Sequence, residues 1–209
     1  MSAERMTVWA LTGPAGAGKS TVSSILAEQG AAIIDGDRLG HELLRRPAIQ
    51  AEIVRGLGPG YVTDGVVDRT NLGALAFSDP AALNKLNDIT HGPLAALAGE
   101  KLALLAAAGQ HGLAVFEAAV YFLLPSPPAV DLVVAVVAPP DLRLRRLVER
   151  SAGPMTMDQA RARIEAQADL EKYWSRADEI IINDGTVEEL KTKTLRLVPP
   201  AGPGSETQP

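Results

Sequence analysis

The chain of 209 residues contains no cysteine. A disulfide framework and a thiolate metal site are both excluded, which fits a reducing compartment. Aromatic residues are scarce, 4% against 46% hydrophobic overall, so the core must be built mainly from Ala, Leu, Val and Ile. Basic charge is also in deficit. Twenty Lys and Arg against 25 Asp and Glu leave a net charge of −5, the wrong sign for the basic footprint of general nucleic-acid binding. Long apolar runs are missing. The densest, Leu132 to Ala138, stops at Pro139-Pro140 and is far too short to span a bilayer. The opening MSAERMTVWALTG has too short an apolar run for a signal peptide. The expectation is a soluble cytoplasmic protein of one ordinary domain, with no nucleic-acid or membrane partner, as a monomer or small homo-oligomer.

What is present is an alternation of apolar strands and amphipathic helices. Strands are expected at Thr7–Leu11, Ala31–Ile34, Leu113–Glu117, Leu132–Val137 and Glu179–Ile182. Helices are expected at Lys19–Glu28, Asp141–Arg150, Met157–Leu170 and Glu188–Leu197. The stretch 38–108 reads as mostly helical, punctuated by Gly58-Pro59-Gly60, Asp64-Gly65 and Asp79-Pro80. Uniformly apolar strands such as LVVAVV alternate with helices, which implies an α/β fold with a parallel sheet covered on both faces. The Pro- and Gly-rich residues 199–209 are expected to be a disordered tail.

Between the first strand and the first helix stands Gly13-Pro14-Ala15-Gly16-Ala17-Gly18-Lys19-Ser20-Thr21. It matches the Walker A pattern G-x-x-x-x-G-K-[ST] at every fixed position. Glycines let backbone N–H groups turn inward around phosphate oxygens, and the helix beginning at Lys19 offers further N–H groups and a positive dipole end. Lys19 would reach the β- and γ-phosphates of ATP, and the Ser20 hydroxyl would bind Mg²⁺. Thr21 also has a reading as helix packing. A GTPase signature is missing: Asn84-Lys85-Leu86-Asn87 ends in an amide and lies in a helical stretch.

A kinase for small molecules needs an acid near the acceptor hydroxyl, cations for the transferring phosphoryl and a cover against water. Asp35 and Asp37 follow the second strand on the ligand-binding edge of the sheet. Alternation along an extended segment would turn one of them to the site, and Asp37 has a second reading as a helix N-cap. Glu117, ending the third strand, is placed to assist Mg²⁺. Arg143, Arg146 and Arg150 form one helical stripe, which for any single arginine reads as a solvated face. Residues 151–167, with Gly153-Pro154, Arg161 and Arg163, are a lid candidate. His41 could face an acceptor cleft or solvent, and His91 and His111 lack partners at metal spacing.

Taken together these segments resemble the dephospho-CoA kinase family, from about Val8 to about Leu190. Ile34-Asp35-Gly36-Asp37 with His41-Glu42 resembles its D-x-D segment, and Asp64-Gly65 with Asp68-Arg69 its D-G-x-x-D-R turn. Phe77, Asp79-Pro80 and Leu86 continue the pattern. The stretch LRRLVER, Ala162-Arg163-Ile164 with Gln167, and Ala177-Asp178, Ile181, Asn183 and Gly185 resemble its later motifs. The resemblance implies a nucleoside-monophosphate-kinase-like core of five parallel strands. It further implies ATP- and Mg²⁺-dependent phosphorylation of the ribose 3′-hydroxyl of dephospho-CoA, giving coenzyme A and ADP. Asp37 would be the general base, Arg146 would stabilise the transferring phosphoryl, Arg150 and Arg163 would hold nucleotide phosphates, and Asn183 would lie near the adenine. Residues 1–198 would form one domain: a core of about 6–37, 111–150 and 177–197, a helical acceptor-binding region of about 38–110, and a lid of about 151–176.

Two segments depart from the family pattern. His91-Gly92-Pro93-Leu94-Ala95 displaces a proline and lacks an arginine, and Glu117-Ala118-Ala119-Val120-Tyr121-Phe122-Leu123 keeps the first acid but lacks the following proline and second glutamate. Both bear on the acceptor side. Two alternatives therefore stand beside the leading reading: a kinase of the same fold with another acceptor, and a nucleotide-binding protein without catalysis.

Overall fold

The computed structural model describes residues 5–150, 156–165, 167 and 171–198, with only the backbone at Ala76, Phe77, Arg150 and Glu171. The expectations for Gly153-Pro154, for the tail 199–209 and for the side chain of Arg150 lie outside the described residues. Strands β1 (Thr7–Thr12) and β2 (Ala32–Asp35) flank helix α1 (Lys19–Glu28). Helices α2 (Gly36–Leu43) and α3 (Pro47–Leu57) follow, then the short strands β3 (Val62–Thr63) and β4 (Val66–Val67), and helices α4 (Arg69–Ser78) and α5 (Pro80–Ala108). Strands β5 (Leu113–Glu117) and β6 (Leu132–Val137) come next, then helices α6 (Pro140–Arg150), α7 (Met157–Glu165) and α8 (Glu171–Trp174), strand β7 (Glu179–Ile182) and helix α9 (Val187–Leu195).

The five longer strands form one sheet in the order β2-β5-β1-β6-β7, parallel at every pairing. Period-two alternation explains why both faces are covered. Trp9 and Leu11 point to the side where Val22, Ile25, Leu26 and Leu190 pack. Ala10 points to the other, with Ile34, Leu43, Leu97, Ala98 and Phe116. Trp9, Ala10, Leu11, Val115 and Phe116 are each 3% exposed or less. Among the described residues no helix is long and apolar enough to cross a membrane.

The stretch 38–108 holds one element that the helical reading missed, the hairpin β3–β4. Asp64 (φ 51°) and Gly65 (φ 72°) form its two-residue turn, a conformation that Asp-Gly is suited to adopt. The hairpin survives because Val67 packs with Ile49, Ile53 and Leu72 in a satellite core under α3. Asp79-Pro80 is a helix start: the Asp79 carboxylate caps the N–H groups of Ala81 and Ala82, and Pro80 occupies the first turn.

Candidate active site

Residues 13–18 join β1 to α1, and their path is dictated by close packing from below. Gly13 has φ 130°, and a side chain there would overlap the Val136 carbonyl oxygen of β6. Gly18 has φ 104°, and a side chain there would collide with the Asn183 amide. The N-cap residue, Gly18, has no side chain to cap α1, and the positive end of the helix faces the loop. The Lys19 ammonium donates to the Gly13 and Pro14 carbonyls at 2.9 and 3.2 Å. Burial pulls its pKa down, opposed by the carboxylates of Glu117 and Asp37.

Parallel pairing brings the acids to that loop. Glu117 is the register partner of Leu11 on one side and of Asp35 on the other. Asp35, not Asp37, caps α2, its carboxylate accepting from the Arg38 N–H at 3.1 Å. Alternation does not turn one of the two acids away, because the chain leaves the strand at Gly36 and Asp37 sits in the first helical turn. Both line the same cleft. Ser23 Oγ, from α1, donates to Glu117 at 2.6 Å. Burial pushes the Glu117 carboxyl above its ordinary range; the Ser23 bond and Lys19 offset part of this, while Asp35 and Asp37 add to it.

The arginine stripe divides. Arg143 is not a solvated residue: it is 2% exposed, and its Nε donates to the Ala15 carbonyl at 3.0 Å. Arg146 donates to the backbone and side-chain oxygens of Asn183, both at 3.3 Å. Asn183 is buried under the loop and donates to the Ala17 carbonyl at 2.7 Å. From the far side, the Gln167 amide oxygen accepts from the Ala15 N–H at 2.8 Å. Ser23, Arg143 and Gln167 thus support the site in ways that sequence patterns did not assign. The spacing of the stripe was the available hint for Arg143.

Two cavities meet here. The first, about 420 Å³, is lined by Lys19, Ser20, Asp35, Asp37, Glu117 and Arg163, together with Ala15, Gly16 and Gly18. The second, about 510 Å³, is lined by Asp37, His41, Leu72, His91, Val120 and Arg163 among others. Asp37 and Arg163 line both. Burial holds the His91 ring below its usual pKa, against its bond with the Leu123 backbone and the charge of Asp88. Arg146 and Asn183 line neither cavity; they brace the loop from beneath. Thr21 sits half-buried one turn into α1, its N–H donating to the Gly18 carbonyl at 3.0 Å.

The oxygen donors in the first cavity suit a hard cation. Among the described residues no group of three or more His, Asp or Glu is assembled to hold a metal. Mg²⁺ is commonly held by one or two protein oxygens plus substrate phosphates, and Ser20 and Glu117 supply oxygens of that kind to this cavity.

A model of the dephospho-CoA kinase family matches residues 7–189. The chain is 38% identical to the dephospho-CoA kinase of Leifsonia xyli over 188 residues, covering 88% of this chain and 93% of that one. It is 40% identical to that of Streptomyces avermitilis over 197 residues, covering 88% of each. Among solved structures, a Thermus thermophilus protein matches with a TM-score of 0.72 at 30% identity, over 93% of this chain and all of that one. The dephospho-CoA kinase of Campylobacter jejuni shares the fold with a TM-score of 0.58 at 22% identity, over 90% of this chain and 94% of that one. With its parallel sheet, its phosphate loop and this likeness along nearly its whole length, the chain belongs to the dephospho-CoA kinase family.

Proposed function

We propose that the protein transfers the γ-phosphoryl group of ATP to the ribose 3′-hydroxyl of dephospho-CoA. The observation that carries the reading is the position of Asp37. It lines the phosphate-loop cavity beside Lys19 and Ser20, and it lines the adjoining cavity beside His41 and His91. A carboxylate at that junction can accept a proton from a hydroxyl on one side as the phosphoryl arrives from the other.

Loop N–H groups and Lys19 would hold the phosphates of ATP. Ser20 and Glu117 would hold Mg²⁺, which when bound neutralises phosphate charge. Asp37 takes the 3′-hydroxyl proton. Arg163, lining both cavities, would meet the transferring group, and Arg150 would add a second cation. Asn183 and Arg146 would keep the loop in register for transfer. The rate gain on this reading comes from positioning and electrostatics. Residues 38–110 would receive the acceptor, and residues 151–176 would act as the lid of the single domain 1–198.

The test is ADP release with Mg-ATP, comparing dephospho-CoA with AMP, adenosine and buffer. Turnover confined to dephospho-CoA is expected. Faster turnover of AMP or adenosine would assign another acceptor, and no turnover with any would overturn the kinase reading. Asp37→Asn should lower kcat by about 10²- to 10⁴-fold with ATP binding little changed; normal turnover by that variant would remove the base assignment.

A further inference from the structure

A third cavity, about 400 Å³, lies between the end of α2 and the β3–β4 hairpin, lined by His41, Leu44, Arg45, Gln50, Val66 and Arg69 among others. We propose that it is a diphosphate subsite, with Arg45 and Arg69 pairing the 5′-diphosphate of the acceptor and the hairpin walling the arm beyond it. The proposal rests on the acceptor reading above.

Its charge is of one sign. Among the described residues no acid lines it, although the chain as a whole is acidic. Two nearby acids, Glu42 and Asp68, are engaged elsewhere. Glu42 faces Arg46 and Lys101, each at 3.9 Å. Asp68 accepts from the backbone and side-chain N–H groups of Asn71 at 3.0 and 2.7 Å. Among the described residues neither Arg45 nor Arg69 has an ion pair with a carboxylate. Two guanidiniums on one cavity match the charge and bidentate geometry of phosphate oxygens.

The frame holding them is built. Gln50, 8% exposed, donates to the Leu44 carbonyl at 3.1 Å and to the Gly65 carbonyl at 2.8 Å. One amide therefore ties the residue before Arg45 to the hairpin turn. The hairpin is anchored by Val67 in the satellite core, while Val66 stays 67% exposed beside the arginines. That wall suits an elongated ligand of mixed polarity.

The cavity also lies in the right direction. His41 and Leu44 line both it and the acceptor cavity at Asp37. Asp37 and His41 stand one turn apart on α2, and Arg45 follows in the turn just past its end, so the three lead from the acceptor cavity to this one. A ribose whose 3′-hydroxyl meets Asp37 carries its 5′-diphosphate from the other end of the same ring. A bare nucleoside would leave Arg45 and Arg69 without a counterpart.

The test is calorimetric binding of dephospho-CoA and of adenosine to wild type, Arg45→Ala, Arg69→Ala and the double variant, at low and high salt, with melting temperature as the folding control. Each single change should weaken dephospho-CoA binding about tenfold and the double change about 100-fold. The loss should be absent for adenosine, and the double variant should show less salt dependence than wild type. Val66→Asp, an exposed change that sets a negative charge beside the cavity, should weaken dephospho-CoA binding independently. Affinities within twofold of wild type, or an equal loss for adenosine, would overturn the subsite. Wild type that binds dephospho-CoA without turning it over would remove the catalytic reading while leaving the arginine comparison decisive. Wild type that does not bind it would remove both.

Discussion

Asn183→Ala should loosen the phosphate loop from beneath. Ala17 is wholly buried, and its carbonyl accepts from the Asn183 amide at 2.7 Å. Truncation leaves that carbonyl without this donor, at a cost of about 1–3 kcal/mol. Arg146 loses its 3.3 Å bond to Oδ1 and keeps the one to the backbone carbonyl, a smaller loss of about 0.5 kcal/mol. A domain of this size shifts by about 2–4 °C per kcal/mol, so the melting temperature should fall by about 3–14 °C. The KM for ATP should rise about tenfold as the loop loses its fixed path. Asn183→Asp should do at least as much harm, because a carboxylate turns a second acceptor toward the Ala17 carbonyl. Thermal unfolding and ATP-dependent kinetics on both variants read these effects. A melting temperature within 1 °C of wild type and an unchanged KM would refute the brace.

Two further outcomes are expected. Gly13→Ala forces a Cβ onto the Val136 carbonyl at a backbone φ of 130°, so ATP affinity by calorimetry should fall at least about tenfold; unchanged affinity would show that the loop can move off β6. The raised pKa of Glu117 means the folded protein binds this proton more tightly than the unfolded chain, so its contribution to stability is fully present below the ordinary value of 4.5 and is lost as pH rises through the raised folded pKa. Glu117→Gln should therefore flatten the stability-versus-pH curve in that window, and an identical curve would contradict burial as the cause.

Much of this protein could be read locally. The phosphate loop was legible because phosphate binding fixes the spacing of its glycines, Lys19 and Ser20 within a few residues, although the close packing of Gly13 and Gly18 against Val136 and Asn183 comes from across the fold. The central strands β5, β1 and β6 were legible because burial on both faces demands uniformly apolar runs, and the edge strands β2 and β7 showed as short apolar runs although Ile180 and Ile182 stay exposed. The Asp64-Gly65 hairpin carried its own turn signal, yet two-residue strands are too short to show periodicity, and the satellite core of Ile49, Ile53, Val67 and Leu72 decides that they pair. Asp35 and Asp37 were both visible as candidates. Which one caps α2 depends on where the strand ends, a boundary set by pairing with β5.

The chemistry-bearing residue types and their places at strand ends and helix starts were thus written in the sequence. Their assembly was not. The order β2-β5-β1-β6-β7 sets Glu117 beside Asp35 and Leu11, residues far apart along the chain. Packing of α6 under the loop turns Arg143 from a surface stripe into a buried brace, and the return of β7 brings Asn183 beneath Ala17. Local propensity acts over one turn or one strand, whereas these contacts join residues from about 80 to more than 160 positions apart, and only the closing of the sheet and its helices determines which of them meet.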